Sequence, residues 1–384
     1  MDVSLEDNIM IARIGRAALT AGALVAALVP ATAQASAPRI TTLVGGLDNP
    51  RGLAFAPDGS VYVAEAGKGG TAPCFEGPEG PACFGTSGAI TEVRPGTKRK
   101  VLTGLPSIAA PDGTNAIGPA DVSFQATLPF LFNLTVGLGA DPAIRSTTLP
   151  AAEAKNAATL LRSDIFSKHV TRVADLGDHE ASANPDGAAP DTNPASVTNA
   201  AGWTGGTVVA DAGGNSLVRI TPNGKPSTLA VFPETQVDAP PFLGLPPGAK
   251  VPMQAVPTSV VRGPDGAFYV GQLTGFPFVV GGAKVFRVVP GQQPTVYAEG
   301  FTNVIDIAFD RDGALYVLEV AHNGLLSQNP TGALVKAGKK NKANEVVTTS
   351  LTSPGGLAIR DGEAYVSNCG TCPGKGELLR IALR

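Results

Sequence analysis

Residues 303–320, NVIDIAFDRDGALYVLEV, contain two apolar segments that are separated by a short polar turn. Phe309 ends the first segment, and Glu319 lies at the end of the second. Asp312-Gly313 lies between them and predicts a two-residue turn, because glycine readily adopts the positive φ that joins antiparallel strands. The stretch therefore predicts a β-hairpin.

The same hairpin pattern recurs along the chain. Copies occur at residues 50–65 (PRGLAFAPDGSVYVAE), 257–272 (PTSVVRGPDGAFYVGQ) and 354–368 (PGGLAIRDGEAYVSN), with a degraded copy at 194–211. Two further short strands are predicted after each hairpin. Four strands in a repeat of roughly 40 to 50 residues are typical of a propeller blade.

The repeats predict an all-β fold, a six-bladed β-propeller of four-stranded antiparallel blades. In the irregular second blade, residues 151–162 are predicted to form a short helix. The last blade has room for only three strands, so residues 40–46 are expected to pair with residues 377–383 and close the ring, because an open ring would expose strand edges. The blades begin near Pro50, Pro119, Pro194, Pro257, Val304 and Pro354.

The first 35 residues have the features of a secretory signal peptide. Arg13 and Arg16 precede an apolar run at 17–29, and Ala33-Gln34-Ala35 provides a small-x-small cleavage site. The acidic residues before Met10 do not suit such a signal, so translation is predicted to start at Met10. Residues 36–384 are expected to form a single domain, secreted to the extracellular space or periplasm, without membrane insertion.

The charge balance limits the class of partner. The chain has 29 Lys and Arg residues against 32 Asp and Glu residues, and it has no basic block. Nucleic acid and anionic membrane surfaces are therefore not expected as partners. The expected partner is an unidentified small molecule, glycan or protein, and the protein is expected to be a monomer.

Four cysteines fit an oxidising compartment. Cys74 and Cys83 lie in one loop rich in glycine and proline, and Cys369 and Cys372 lie in another. Three pairings exist for four cysteines. The favoured prediction is one disulfide within each loop, and a four-thiolate zinc site is the alternative, because Cys369-Gly-Thr-Cys372 has ligand spacing.

The long connections of the predicted propeller emerge at one end of the ring, and loops on a rigid scaffold commonly carry binding groups. Polar side chains recur at this end, at the last position of strand two. They are predicted either to bind a metal, a sugar or a cationic group, or to accept hydrogen bonds from the loop that follows each strand, and the second interpretation is favoured. The residues are Glu65, Asp211, Gln272, Glu319 and Asn368.

Two carboxylates are predicted to face the channel along the axis. Asp121 and Asp306 lie near the start of strand one in the second and fifth blades, where the other blades have Gly or Ser. Two carboxylates across a channel are suited to holding a cation or to raising one another's pKa for acid-base chemistry. Channel lining and capping of loop amides are the favoured structural alternative.

Residues 175–194, DLGDHEASANPDGAAPDTNP, are rich in oxygen ligands but have no fixed metal-loop spacing. A solvated loop is the favoured interpretation. The chain has three histidines, none in a metal-ligand spacing, and it contains no GxSxG, phosphate-loop or HExxH motif.

Several strings resemble a known family. The hairpins resemble NHL-type repeats, and the chain is similar to the ScyD/ScyE family of secreted bacterial proteins. The strings that carry this resemblance are GLDNPRGLAFAPDG, GLGADPAIR, ANPDG, VVADAGGNSLVRI, AVPTSVVRGPDGAFYVGQLTGFPF, GFTNVIDIAFDRDGALYVLE and PGGLAI. The resemblance implies a secreted six-bladed propeller and supplies no catalytic residues.

The sequence favours a non-catalytic binding or scaffold protein that presents its loop-rich face to a partner. The alternative is a metal-assisted lyase or hydrolase with its site at the mouth of the axial channel. No cofactor is predicted, although Ca²⁺ or another divalent cation is compatible with the carboxylates.

Overall fold

The computed structural model describes residues 37–77, 80–200, 205–338 and 342–383. The predicted signal peptide at 1–35, with Met10, lies outside the described residues. No helix in the described ranges is long and apolar enough to cross a membrane.

The first half of the chain is mostly strand. Its strands are β1 (Ile40–Leu47), β2 (Pro50–Phe55), β3 (Val61–Glu65), β4 (Cys74–Gly77), β5 (Gly80–Arg94), β6 (Thr97–Ala109), β7 (Pro119–Phe124), β8 (Leu131–Val136), β9 (Thr159–Asp164), β10 (Thr171–Asp175), β11 (Pro194–Asn199), β12 (Thr207–Asp211), β13 (Ser216–Ile220) and β14 (Pro226–Val231). Three short helices interrupt them, namely α1 (Ile144–Thr147), α2 (Ala151–Ala154) and α3 (Leu176–Ala183).

The second half has strands and one 3-10 turn at Pro241–Leu243. Its strands are β15 (Thr235–Asp238), β16 (Lys250–Met253), β17 (Pro257–Arg262), β18 (Phe268–Gln272), β19 (Ala283–Val288), β20 (Thr295–Phe301), β21 (Val304–Phe309), β22 (Leu315–Glu319), β23 (Gly332–Lys336), β24 (Glu345–Leu351), β25 (Gly356–Arg360), β26 (Glu363–Asn368) and β27 (Gly376–Ala382).

The described strands form six larger antiparallel sheets and one two-stranded sheet, β15-β16. Four larger sheets contain consecutive strands: β7 to β10, β11 to β14, β17 to β20 and β21 to β24. The sheet of β2, β3, β5 and β6 also carries β4. The remaining sheet has the order β1-β27-β26-β25, so a strand from the start of the domain completes the last sheet. Ile40 lies opposite Ile381, as the sequence predicted.

The core lies between the faces of successive sheets. Tyr62 of β3 packs against Phe132 of β8, for example, with 5.4 Å between ring centroids. Buried apolar clusters of this kind join each larger sheet to the next along the chain, and another joins the last sheet to the first. The first strands of successive sheets also contact one another, and β25 contacts β2. This packing places the starts of six first strands around a common interior.

The hairpin turns show why the Asp-Gly pairs recur. In residues 310–314 the amide of Asp310 donates to the carbonyl of Ala314, so the loop contains three residues rather than the two that the sequence predicted. Gly313 has φ of 72°, which only glycine adopts easily. The last repeat does have the predicted two-residue loop, since Asp361 and Gly362 both have positive φ.

Two local predictions are wrong, and one hairpin was not predicted. Residues 151–162 were expected to be helical, but α2 ends at Ala154 and β9 begins at Thr159, where the side chains become continuously buried. The solvated loop expected at 175–194 begins instead with α3, whose first turn is capped by the Asp175 side chain accepting from the Asp178 amide. The hairpin β15-β16 has no counterpart in the repeat pattern and was not predicted.

Both favoured cysteine pairs are within bonding distance. Cys74 and Cys83 face each other across β4 and β5, with 4.0 Å between their Cα atoms. Cys369 and Cys372 are paired in the loop after β26, with 5.3 Å between their Cα atoms. The four cysteines therefore do not form the alternative four-thiolate site.

Candidate functional site

A cavity of about 510 Å³ lies where the first strands begin. This volume is typical of small-molecule sites. The second residue of each first strand, or its equivalent before β25, lines the cavity: Arg51, Ala120, Ala195, Thr258, Ile305 and Gly355. In five of these strands the pairing with strand two shifts register at this residue. This shared irregularity explains why the sheets contribute the same position to one wall.

Asp121 lies on this wall, one residue further along β7. Its Oδ2 accepts hydrogen bonds from the Ser196 hydroxyl at 2.8 Å and from the Val197 amide at 2.9 Å, both on β11 of the following sheet. Its Oδ1 accepts from the Val122 amide at 2.8 Å. The carboxyl group thus joins two sheets while part of it faces the cavity.

Asp306 has the equivalent position on β21 and also lines the cavity. Its Oδ2 accepts from the Leu357 amide on β25 at 2.7 Å, and its Oδ1 accepts from the Ile307 amide at 2.8 Å. No side-chain hydroxyl occupies the place that Ser196 has beside Asp121, because residue 356 is glycine. Asp306 is therefore held by backbone amides.

The same register position in the other sheets holds small residues. Ser196 Oγ accepts from the Val260 amide of the following sheet at 3.1 Å, repeating the link that the two aspartates make. Gly52 and Gly356 leave no side chain there, and a Cβ on Gly52 would lie 2.7 Å from Asp121 Cγ. Because Gly52 has no side chain, there is space for the Asp121 carboxyl group beside it.

The two carboxyl groups have raised pKa values. Burial raises the pKa of Asp121 to about 6, against the opposing effect of its hydrogen bonds. Burial also raises the pKa of Asp306 well above its ordinary value, and the charge of Asp121 raises it further. An environment that resists charge on two interacting carboxyls favours one ionised and one protonated group.

The polar side chains at the ends of the second strands are buried, and none of them lines the cavity. Glu65 accepts from the Asp48 amide, Glu319 from the Thr302 amide at 2.8 Å, and Asn368 from the Thr352 amide at 2.8 Å. Each of these donors lies before strand one of the same sheet.

Asp211 follows the same pattern, since its carboxylate accepts from the Asn193 amide at 2.6 Å and from the Thr192 hydroxyl. Gln272 is buried, and its Oε1 has no hydrogen-bond partner among the described residues. The contacts are of the capping kind and are made mainly with the loop before strand one. Asp211 also makes the predicted contact with the loop that follows strand two, since it accepts from the Gly214 amide at 3.3 Å. Whether any of these residues binds a ligand stays a prediction.

The cavity wall combines few polar groups with many apolar ones. Arg51 donates to the Ala116 carbonyl at 2.7 Å and places its guanidinium group on the wall. Phe278 and Leu325 cover the cavity from two long loops, and Thr371 reaches it from the loop closed by Cys369 and Cys372. The loop-rich end of the molecule therefore does surround this space.

Arg51, Asn115, Asn193 and Thr371 line the cavity but were not singled out from the sequence. Arg51 was detectable, because it directly precedes Gly52 at the position that lines the cavity in every repeat. Asn115 and Thr371 lie in irregular loops and carry no repeat signal. Within the described ranges, no group of three or more His, Cys, Asp or Glu side chains is arranged to hold a metal ion.

No protein-family model matches the chain, and no curated protein matches it by sequence. The resemblance to the ScyD/ScyE family is therefore not confirmed. Solved structures do match.

A gluconolactonase from Xanthomonas campestris has 12% identity and a TM-score of 0.51 over 90% of this chain and 90% of that chain. The PQQ-bound aldose sugar dehydrogenase from Streptomyces coelicolor has 12% identity and a TM-score of 0.50 over 90% of this chain and 98% of that one. A protein of unknown function from Bacteroides thetaiotaomicron has 9% identity and a TM-score of 0.53 over 90% of this chain and 76% of that chain.

Similarity at this identity concerns the fold, and it supports an all-β propeller. The neighbours with a named activity are enzymes. The expectation of a non-catalytic binding or scaffold protein is therefore wrong.

Proposed function

We propose that the protein is a hydrolase or lyase that acts on a small molecule bound in the cavity, with Asp121 and Asp306 as its acid-base pair. The observation that carries this proposal is the placement of two interacting carboxyl groups, from different sheets, on one cavity wall. Pairs of titratable groups whose pKa values are pushed apart are typical of acid-base catalysis.

The pKa shifts assign the two roles. Asp121, with a pKa of about 6, is mostly ionised at neutral pH and accepts a proton. Asp306, whose pKa is raised by burial and by Asp121, holds a proton and donates it. Arg51 supplies positive charge on the same wall and is suited to binding an ester carbonyl or a carboxylate oxygen of the substrate.

In hydrolysis of a lactone or an open-chain ester, water attacks the carbonyl carbon and transfers one proton to Asp121. The carbon–oxygen bond then breaks, and the leaving oxygen takes the proton of Asp306. In elimination, Asp121 takes a proton from carbon instead, and Asp306 protonates the departing group. In both cases Asp121 ends protonated and Asp306 ionised, and one proton returns between them before the next turnover.

A substrate panel tests this proposal. The purified protein would be given five- and six-membered lactones, aryl esters, and esters that can eliminate a leaving group from the carbon next to the α-carbon. Proton release reports hydrolysis, and ultraviolet absorbance of a new double bond reports elimination. Asp121→Asn and Asp306→Asn are expected to lose about 100-fold or more in kcat/KM. Ser259→Ala is the control, because Ser259 has the equivalent position in another sheet and does not line the cavity. A kcat/KM in Asp306→Asn equal to that of the wild type would contradict the proposal.

We further propose that the six larger sheets are six blades in a ring sealed by β1. The contacts between successive first strands, including β25 with β2, support this arrangement. Export as a monomer, with a mature start near Ser36, is also part of the proposal and agrees with the paired cysteines. N-terminal sequencing of protein recovered from the culture medium or periplasm tests it, and an intact N-terminus there would oppose it.

A further inference from the structure

A second group of oxygen ligands lies outside the cavity, between α3 and the turn at Gly213-Gly214. Glu180 is on α3 and only 2% exposed. Its Oε1, the Oδ1 of Asn184 and the Oδ1 of Asp191 are buried and have no hydrogen-bond partner among the described residues. Buried acceptors of this kind are rarely left unpaired, so three within one short segment indicate a ligand.

The three side chains are brought together by local structure. The Asn184 amide donates to the Glu180 carbonyl at 2.8 Å, so the two residues lie one helical turn apart at the end of α3. A Cβ on Gly214 would lie 2.6 Å from Glu180 Oε2, and a Cβ on Gly213 would lie 2.8 Å from Asp191 Oδ1. The two carboxylates therefore flank adjacent residues of one turn.

The neighbouring groups add negative charge. Asp211, Asp186 and Asp191 all lie close enough to Glu180 to repel its carboxylate. Asp186 is already engaged, since it accepts from the Asn215 side chain at 2.9 Å and from the Ala188 amide at 2.9 Å. The unpaired oxygens thus belong to one amide and to two carboxyl groups, each of which also accepts one backbone hydrogen bond. This combination differs from a cluster of three ionisable side chains.

We propose that Glu180, Asn184 and Asp191 bind a Ca²⁺ ion that fastens the end of α3 to the Gly213-Gly214 turn. Carboxylate and amide oxygens are ligands that Ca²⁺ prefers, and its flexible coordination accepts additional carbonyl oxygens and water. A cation also opposes the repulsion among the four carboxylates of this region. The site is separate from Asp121 and Asp306 and does not depend on their proposed catalysis.

Calcium titration tests the site on the full mature chain, after treatment with EDTA and removal of the chelator. Calorimetry is expected to show one Ca²⁺ bound per chain, and Ca²⁺ is expected to raise the melting temperature. Glu180→Gln and Asp191→Asn are expected to weaken binding by about tenfold or more, since affinity follows ligand charge. Asn184→Asp is expected to strengthen it, because aspartate adds charge and also tolerates the left-handed backbone at this position.

Two controls make the result specific. Glu153→Gln removes the same charge from an exposed residue of α2 and is expected to bind Ca²⁺ as the wild type does. Asp306→Asn is expected to retain the ion as well. Without Ca²⁺, Glu180→Gln is expected to melt no lower than the wild type, because it removes repulsion; this separates lost binding from misfolding.

The proposal is overturned if the wild type neither binds Ca²⁺ nor gains melting temperature, since water then satisfies the three oxygens. Wild-type affinity in Glu180→Gln also overturns it. If Asp306→Asn lost the ion and Glu180→Gln kept it, the ion would bind in the cavity, and the proposal would again be overturned.

Discussion

Asp121 and Asp306 occupy the same position on the first strands of two different sheets, and each accepts a hydrogen bond from the first strand of the following sheet. The aspartates therefore have a structural role that serine performs in a neighbouring sheet through Ser196. At a buried site that raises the pKa of a carboxyl group, an aspartate costs more folding stability than a serine, because its ionised form is disfavoured there. Sheet linkage alone therefore does not explain why aspartate occupies two of the six positions, whereas the proposed acid-base chemistry would.

Asp306→Asn is expected to abolish turnover without lowering stability. Asparagine keeps an oxygen for the Leu357 amide, loses only the acceptor of the Ile307 amide, and cannot ionise at a position where burial and Asp121 oppose charge. We expect the free energy of unfolding to stay equal or to rise by about 1 kcal/mol, the pattern of a residue retained for function. Urea denaturation at pH 7, beside the activity assay, measures both effects.

Asp211→Asn is the contrasting variant. Burial raises the pKa of Asp211 to about 6 as well, but both of its oxygens accept hydrogen bonds, from Thr192, Asn193 and Gly214. Asparagine supplies only one acceptor oxygen, so the variant is expected to lose about 1–3 kcal/mol of stability. An Asp306→Asn protein that is destabilised as much as Asp211→Asn would argue for a purely structural role of Asp306.

Stability should depend on pH through Asp121. Its pKa rises from 3.8 to about 6 on folding, so between these values the folded chain holds a proton that the unfolded chain has lost. Its contribution therefore destabilises the fold as pH rises across this window, by at most about 3 kcal/mol. Denaturation from pH 4 to 7 is expected to show this slope in the wild type and a shallower loss in Asp121→Asn. Parallel curves for the two proteins would refute the assigned shift.

Gly52→Ala is expected to disturb Asp121 from the neighbouring sheet. The added Cβ would lie 2.7 Å from Asp121 Cγ and 2.9 Å from its Cα, so the backbone of β7 as well as the carboxyl must move. We expect a loss of about 1–3 kcal/mol in stability and a fall in activity. Gly45→Ala is the control, because a Cβ there meets no atom within 4 Å. Full activity in Gly52→Ala would show that the position of Asp121 is not critical.

Leu47→Ala tests the seal between the two ends of the domain. Leu47 lies at the end of β1, is fully buried, and belongs to a cluster with Val63 and Leu378. Its truncation is expected to cost about 2–5 kcal/mol, measured by urea denaturation. Thr42→Ala, at an exposed position of the same strand, is expected to change little. Equal stability of the two variants would mean that β1 contributes little to the fold.

The repeated hairpins made most of the fold predictable, because their period and their Asp-Gly turns are local signals. The pairing of β1 with β27 was also predictable, since the last repeat lacks one strand. The β15-β16 hairpin was not predictable, because it lies outside the repeat pattern. The strand β9, the third strand of its sheet, was not predicted either. For β9, an alanine-rich stretch before Thr159 has helix propensity, and tertiary packing against β8 outweighs it.

The candidate site was predictable only in part. Asp121 and Asp306 stood out because they replace small residues at one register position. Arg51 could be found only by aligning the repeats and comparing the residue just before the position of the two aspartates. The place of Thr371 in the cavity depends on the path of an irregular loop, which the sequence does not indicate. The oxygen ligands of Glu180 and Asp191 could be read from the sequence, but their approach to Gly213-Gly214 depends on how two sheets pack.

The pairing of β1 with β27 also sets an order in time. Ribosomes make β1 before every other strand of the domain and β27 after all of them, so β1 has no partner until translation is nearly finished. A chain interrupted before Gly376 retains an unpaired strand whose Leu47 lacks its cover from Leu378. A truncated chain thus leaves the backbone of β1 without its β27 partner and exposes the Leu47 side chain, both of which are covered in the finished chain.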